Sequence, residues 1–339
     1  MAKIAINGFG RIGRCTLRAY LANYSKAYEI VAINDLTDPA VLVHLFKYDS
    51  TYGPFQGDVK LEDGFLVVAG KKIKLLAERD ATKLPWKELG VDIVIESTGI
   101  FTTREGMTAH ITAGAKKVLL SAPSKSADDV DLTTVIGVNH NLITKEMKFI
   151  SNASCTTNSM AGVVKAVNDA FGIVSGFMTT IHSYTMDQKL LDSPHSDLRR
   201  ARSAAENIVP SSTGAAKAIG LVIPELKGKL DGCSLRVPTP VGSITDMTFE
   251  VSKSTSVEEV NKALQAAATG YLKGTVEYST DPLVLKDIVG NPHSGIVDSK
   301  LTAVGGVDKK TVKVFSWYDN EWGFSNRLAH LCKIVSDFV

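Results

Sequence analysis

The chain has 339 residues, 44% hydrophobic and 22% charged, close to a soluble globular average, which excludes a disordered chain and predicts two domains. Lys and Arg number 38 and Asp and Glu 36, a net charge of +2 that lacks the basic excess of a dedicated nucleic-acid binder. No run approaches the ~18 apolar residues of a membrane-spanning helix, and Met1-Ala2-Lys3-Ile4-Ala5-Ile6-Asn7 has neither the apolar core nor the cleavage site of a secretory signal.

The first predicted element is a short buried strand over Lys3–Asn7. Gly8-Phe9-Gly10-Arg11-Ile12-Gly13 follows at once, and residues 14–23 carry apolar positions at 17, 20 and 21, a helical spacing. Glu29–Asn34 reads as a second strand ending at Asp35. A hairpin around Gly70 pairs Val67-Val68 with residues 72–76. Residues 91–96 and 117–121 read as buried strands, with a helix at 107–113 between them. Alternating strands and helices predict a parallel, doubly wound sheet.

The pattern changes near residue 150. Phe149–Ser151 closes the first half, and residues 156–171 form an amphipathic helix with apolar positions at 160, 163, 164, 167 and 171. Longer strands are predicted at 173–182, 234–238, 244–251 and 311–318, several of them antiparallel and covered on one side by helices such as 257–273. Residues 183–205 form a long polar loop turning at Asp192-Ser193-Pro194-His195, a length that points to function. Residues 324–335 read as a helix with one buried face. The expected fold class is α/β, a Rossmann-type parallel-sheet domain over 1–153 followed by an α+β catalytic domain with a mainly antiparallel sheet over 154–319.

Four features carry chemistry. Gly8, Gly10 and Gly13 let a backbone approach a pyrophosphate at a helix N-terminus, and Asp35, 22 residues after Gly13, stands where an acid bonds ribose hydroxyls and repels a 2′-phosphate. Cys155 lies in Ser151-Asn152-Ala153-Ser154-Cys155-Thr156-Thr157-Asn158, just before the amphipathic helix, where the dipole favours a thiolate. Cys15, Cys233 and Cys332 read as buried core residues. The four cysteines are 140, 78 and 99 residues apart, which matches no metal-ligand spacing and suits a reducing, cytoplasmic compartment. His182, ending an apolar strand, is a candidate partner for a thiolate nucleophile. His44, His110, His140, His195, His293 and His330 read as structural or exposed. The fourth feature is a scattered set of anion-binding groups. These are Leu198-Arg199-Arg200-Ala201-Arg202, the loop Ser211-Ser212-Thr213-Gly214-Ala215-Ala216 opening a helix, and Arg236, whose charge within an apolar strand needs an anion or carboxylate partner.

Taken together, INGFGRIGR at 6–14, ASCTTN at 153–158, HSYTMDQ at 182–188, LRRAR at 198–202, RVPTP at 236–240 and WYDNEWGFSNR at 317–327 make the chain resemble the glyceraldehyde-3-phosphate dehydrogenase family over essentially its whole length. The resemblance implies a homotetramer and a C-terminal helix, about 320–339, packed on the first domain. It implies Cys155 as nucleophile and His182 as its base. Thr185, Asp187 and Arg236 would surround the substrate's phosphate, with Arg200 serving the phosphate sites. Ser154, Thr156, Thr213 and Gly214 would bind inorganic or substrate phosphate. Arg11, Ile12, Asp35, Arg79, Ser121 and Asn320 would contact NAD, Asn320 orienting the nicotinamide. Family members specific for NAD resemble Leu-Pro where this chain has Ser193-Pro194, so some NADP use is expected.

The implied reaction is oxidation of glyceraldehyde 3-phosphate through a Cys155 hemithioacetal and thioester, with inorganic phosphate releasing an acyl phosphate. A sister activity on erythrose 4-phosphate shares these motifs. A non-catalytic NAD- or RNA-binding role is the reading from another class, opposed by the near-neutral charge and the Cys155/His182 pair.

Overall fold

A computed structural model describes residues 1–339, which divide into two units. The first comprises Met1–Thr134, Asn141–Ala153 and Ser325–Val339. Its elements run β1 (Lys3–Asn7), α1 (Arg11–Asn23), β2 (Glu29–Asn34), α2 (Pro39–Lys47), β3 (Val59–Glu62), β4 (Phe65–Val68), β5 (Lys71–Leu76), α3 (Trp86–Leu89), β6 (Ile93–Glu96), α4 (Arg104–Thr112), β7 (Lys117–Leu120), β8 (Leu132–Thr133) and β9 (Phe149–Ser151). They form a nine-stranded sheet in the order β3-β4-β5-β2-β1-β6-β7-β9-β8, antiparallel only through the β3-β4-β5 meander. Chain direction across the sheet reverses at β1, which pairs with β2 on one side and β6 on the other. Such a switch point opens a crevice at the strands' carboxyl ends.

The helix α1 starts three residues earlier than the apolar spacing predicts. Gly10 is its N-cap, so Gly13 lies inside the helix, where a Cβ would come within 2.3 Å of the Gly8 carbonyl oxygen. The third glycine therefore serves helix–strand packing and not the turn. The helix α2, absent from the sequence expectation, has an Asp38 cap accepting from the Ala40 amide at 2.8 Å and a proline in its first turn. Residues of the C-terminal helix lock onto this unit, Tyr28 donating to the Ala329 carbonyl at 3.1 Å.

The second unit comprises Val135–His140 and Ser154–Phe324. Its elements are α5 (Cys155–Phe171), β10 (Ile173–Ser183), β11 (Val209–Ser212), α6 (Ala215–Val222), β12 (Leu230–Val237), β13 (Ser243–Val251), α7 (Val257–Thr269), β14 (Val276–Ser279), β15 (Gly295–Asp298), β16 (Ala303–Gly305), β17 (Thr311–Tyr318) and the start of α8 (Trp322–Ser336). The sheet runs β11-β12-β10-β13-β17-β15-β14, with β16 beside β17, and is mainly antiparallel. Only the β10–β12 and β14–β15 pairs are parallel. Ser211 and Ser212, expected in a loop, end the edge strand β11, which turns through Thr213 and Gly214 into α6.

Cys233 corrects one sequence expectation. It is exposed, not buried, because β12 turns it to the uncovered face beside Thr179 of β10. Cys15 and Cys332 are buried as expected.

Candidate functional site

The carboxyl ends of β1, β2 and β6 open onto a cavity of about 440 Å³ lined by Asn7, Gly8, Gly10, Asn34, Asp35 and Arg79, among others. A Cβ on Gly8 (φ +92°) would meet the Ser97 carbonyl carbon and Thr98 nitrogen at 2.7 Å, so the turn admits only glycine. Gly10 has open space where a Cβ would point, as close approach of a phosphate requires. Asp35 is held by two backbone amides, Phe9 at 2.7 Å on one oxygen and Thr37 at 2.9 Å on the other. Each oxygen keeps a lone pair for a ribose hydroxyl. Glycine cradle, oriented acid and apolar walls from Leu36, Ile100 and Phe101 fit a dinucleotide.

Of the other expected cofactor residues, Gly13 is in the helix, Arg11 is ion-paired with Asp49, and Ser121 bonds through its amide to the Glu96 carbonyl at 2.9 Å. Ile12, Ser121 and Arg11 are not part of the cavity wall. Sequence reasoning missed Asn7, Asn34, Glu78, Ser97 and Thr98, which reach the cavity because they end or follow the neighbouring strands β1, β2, β5 and β6. Beneath them Glu96, fully buried, accepts from Asn7 Nδ2 at 2.6 Å, His110 Nε2 at 3.0 Å, and the amide (2.8 Å) and hydroxyl of Thr98. Trp86 Nε1, a pure donor, bonds His110 Nδ1 at 3.1 Å, which puts the imidazole proton on Nε2. This network fixes two strand ends of the cavity floor.

In the second unit the sheet register builds a different cluster. His182 on β10 lies opposite Arg236 on β12 and Ser243 on β13, so His182 and Arg236 are lateral neighbours. Cys155 is the first residue of α5, whose cap Ser154 accepts from the Thr157 amide at 3.0 Å. Ala153 just before it takes a left-handed φ of +55°, unusual for a residue with a Cβ and a form of strain found at functional sites. His182 Nε2 lies 3.5 Å from Cys155 Sγ. Behind them the Tyr318 hydroxyl, fully buried, is 2.8 Å from Thr156 Oγ1 and from Thr180 Oγ1, and its ring stands edge-on to the imidazole.

Burial and nearby charge act on both members of the Cys155–His182 pair. Burial pushes the Cys155 thiol up, against the Arg236 charge and hydrogen bonds at Thr156 that pull it down. Burial first, then the Arg236 charge, push His182 from 6.5 to about 3, opposed by the Ser183 carbonyl. Desolvation is the largest influence on both groups and opposes the charge on each, against the helix dipole and Arg236 acting on the thiol.

This depression has a thermodynamic consequence. Between 6.5 and about 3 the unfolded chain binds a proton that the folded site refuses. The contribution of this group is therefore complete above about 6.5 and is lost as pH falls, at about 1.4 kcal/mol per unit. Denaturant melts from about pH 7 to about pH 4 should lose stability more steeply in wild type than in His182→Asn. Parallel losses would mean that His182 protonates freely in the fold.

Around this pair lie the anion-binding candidates. Arg236 has no carboxylate partner. Its Nη1 is 2.8 Å from His182 Nδ1 and 3.1 Å from the Ser183 carbonyl, and its Nε is buried without a hydrogen-bond partner. Arg200 is ion-paired with Asp187, which also contacts His195 Nε2 at 3.3 Å, and reaches the Ser212 carbonyl at 3.4 Å, next to Thr213. Its positive charge disfavours a further cation at both Arg236 and His182. Two guanidinium groups near one histidine make an anion seat. Asp187 orients Arg200 within it, and His195, read as structural or exposed from sequence, joins the cluster. Thr213 accepts from the Ala215 amide at 3.2 Å and Gly214 caps α6. Thr185 opens the long loop, its carbonyl accepting from the Gln188 amide at 2.9 Å. Asn320 Oδ1 is held by the Gly242 amide at 2.9 Å.

The comparisons with known proteins agree with this division. The sequence model of the glyceraldehyde 3-phosphate dehydrogenase NAD binding domain matches residues 2–104, and that of the C-terminal domain matches residues 154–320. A protein named glyceraldehyde-3-phosphate dehydrogenase from Mycolicibacterium smegmatis is 56% identical over 339 residues, 98% of each chain. One of the same name from Zymomonas mobilis is 55% identical over 327 residues, 96% of each chain. Glyceraldehyde-3-phosphate dehydrogenase 2 from Trichormus variabilis is 53% identical over 339 residues, 99% of each chain. With both domains matched and more than half of the residues shared with full-length relatives, the chain belongs to the glyceraldehyde-3-phosphate dehydrogenase family.

Proposed function

We propose that this chain oxidises glyceraldehyde 3-phosphate to 1,3-bisphosphoglycerate with NAD and inorganic phosphate, using Cys155 as nucleophile and His182 as base. The observation that carries the reading is the His182 Nε2 to Cys155 Sγ contact of 3.5 Å beside the half-buried guanidinium of Arg236, whose Nε has no hydrogen-bond partner. His182 takes the thiol proton as Cys155 adds to the aldehyde, returns it to the alkoxide to complete the hemithioacetal hydroxyl, and takes it back as the hydride leaves. NAD, when bound, supplies the hydride acceptor. A thioester on Cys155 keeps the oxidation energy, and Arg236, Arg200 and Thr213 orient the attacking phosphate or the substrate's own, with Ser154, Thr156, Thr185 and Gly214 around them and Asp187 holding Arg200. Comparing kcat/KM for glyceraldehyde 3-phosphate and erythrose 4-phosphate tests the substrate. A higher value for the longer aldose would replace this reading with the sister activity.

In the first unit, Gly8, Gly10 and Gly13 admit the cofactor's phosphates, Asp35 and Arg79 face its ribose and base, and Arg11, Ile12 and Ser121 complete the contacts there; Asn320, a residue of the second unit, is the remaining cofactor residue of this reading. Asp35 should favour NAD, since a 2′-phosphate beside its carboxylate meets like charge. Ser193 could donate to that phosphate while Pro194 has no N–H to offer, so measurable NADP use accompanies the preference. Asp35→Gly should narrow the kcat/KM gap, mostly by improving NADP. An NADP preference in the wild type would refute the assignment of Asp35.

The same reading includes a homotetramer in the cytoplasm. Phe177, Met186, Leu190, Leu191 and Leu198 are 71–91% exposed on the second unit, apolar surface that further copies of the chain would cover. No helix is long and apolar enough to cross a membrane.

A further inference from the structure

We infer that Glu96, which stands outside the cavity wall, is a positioning residue for NAD. Its buried carboxylate sets the direction of one chain of hydrogen bonds that ties together all four segments of the wall. This rests on the reading of the cavity at β1, β2 and β6 as the NAD seat.

The wall is made by residues 7–10, 34–36, 78–81 and 97–101. Each segment ends or follows a different strand, β1, β2, β5 or β6, so their spacing depends on contacts between distant parts of the chain. Asn7 is in register with Asn34 on one side and Glu96 on the other, each the last residue of its strand. Their buried side chains make a polar row across the carboxyl end of the sheet. Asn7 Nδ2 donates to Glu96 Oε2 at 2.6 Å, and Asn34 Nδ2 donates to Asn7 Oδ1 at 2.7 Å. Asn34 then grips the third segment, its Oδ1 accepting from the Glu78 amide at 2.8 Å and its Nδ2 donating to the Glu78 carbonyl at 2.9 Å. On the other side the Thr98 amide and hydroxyl donate to Glu96 Oε1, and Thr98 Oγ1 accepts from the Ile100 amide at 3.0 Å. Ser97 Oγ donates to the Gly8 carbonyl at 2.7 Å and closes the ring of contacts.

A primary amide has nearly the same shape either way round, so its partners decide which end points where. In this row Glu96 decides. Its partners are Asn7, His110 and the two groups of Thr98, all donors, so the carboxylate acts only as an acceptor. Trp86 keeps the His110 proton on the nitrogen that faces Glu96. The carboxylate draws the NH2 of Asn7, which turns Asn7 Oδ1 to Asn34, which leaves Asn34 Oδ1 for the Glu78 N–H. That backbone N–H can only donate, so both ends of the row demand the same direction. Reversal would set N–H against N–H at Glu78 and release the segment that carries Glu78 and Arg79. A fully satisfied buried network rigidifies the segments it joins. The wall is therefore preformed, and NAD loses little affinity in ordering it.

Glu96→Gln keeps the shape of the side chain and turns one acceptor into a donor. Either way round, its NH2 faces donors, Asn7 with His110 or the two groups of Thr98. Calorimetric titration of the full chain should show the Kd for NAD raised about 10- to 100-fold. The KM for NAD should rise with it, while kcat at saturating NAD stays within about twofold of wild type. The paired variant Glu96→Gln/Asn7→Asp moves the carboxylate one place along the row. The new aspartate accepts from the new glutamine, from Asn34 Nδ2 and from His110 Nε2, which lies 3.4 Å from that position, so the direction toward Glu78 is restored. The pair should recover most of the lost affinity, which a merely structural role for Glu96 would not allow. Wild-type NAD affinity in Glu96→Gln, or a fall in kcat with unchanged KM, overturns the positioning role. So does a paired variant that binds no better than Glu96→Gln or does not fold. If Glu96→Gln itself does not fold, the paired variant carries the test alone. Gly10→Val separates the failures, because it fills the open space beside Gly10 and touches nothing in the row. Loss of NAD binding there, with Glu96→Gln unchanged, overturns the positioning role alone. Wild-type affinity in Gly10→Val overturns the reading of the cavity as well.

Discussion

Cys155→Ser is expected to abolish NADH formation, with a loss of about 10⁴-fold or more, while NAD affinity stays close to wild type. A serine hydroxyl in this position ionises far less readily than the thiol, and an oxygen ester would be a weaker acyl donor to phosphate than a thioester. The side chain sits at the first turn of α5 and is not among the residues lining the dinucleotide cavity, so NAD affinity should hold. Alkylation provides an independent reading. Cys15 and Cys332 are fully buried, and burial pushes the Cys332 thiol far up, so neither should react in the folded chain. The competitor is Cys233, exposed on β12. Iodoacetamide should label Cys155 faster than Cys233, and Cys233→Ser should keep the fast phase. Loss of that phase in Cys233→Ser would transfer the reactivity to the wrong thiol and sink the assignment.

His182→Asn should lower turnover by about 10²–10⁴-fold, the usual size of general acid–base assistance. Asparagine can donate a hydrogen bond to sulfur but cannot take its proton. Because burial pushes the Cys155 thiol up, the variant has to wait for spontaneous ionisation, and its residual activity should climb with pH well past the point where wild type levels off. Alkylation of Cys155 at neutral pH should slow as well. The cause is loss of the group that takes the Cys155 proton. Wild-type alkylation kinetics and an unshifted pH profile would make His182 a structural residue of β10.

The chemistry-bearing local motifs were legible because each depends on short-range constraints. A strand, three glycines and an acid 22 residues on specify a dinucleotide turn, and the apolar spacing of α5 locates its N-terminus next to Cys155. What stayed hidden depends on register between distant segments. That His182 pairs laterally with Arg236 follows from the parallel alignment of β10 and β12, 54 residues apart, which no local pattern encodes. The reversal at β1 brings Ser97 and Thr98 to the cavity, and the buried Glu96 network below is assembled from four separate segments. Cys233 was misplaced for a related reason. A free cysteine reads as core because most are buried, but the face it occupies is set by the pleat and by which side the helices cover. The desolvation acting on Cys155 and His182 was also out of reach, since it appears only when the fold closes around them.

The most direct test of the central claim is a rapid-mixing measurement of NADH formation from glyceraldehyde 3-phosphate and NAD, with and without inorganic phosphate. Without phosphate the account predicts a burst of one NADH per Cys155 followed by near arrest, because the thioester forms and has no acceptor. With phosphate it predicts continuous turnover and an acyl phosphate product. Steady turnover at the same rate without phosphate, with free acid as product, would contradict it.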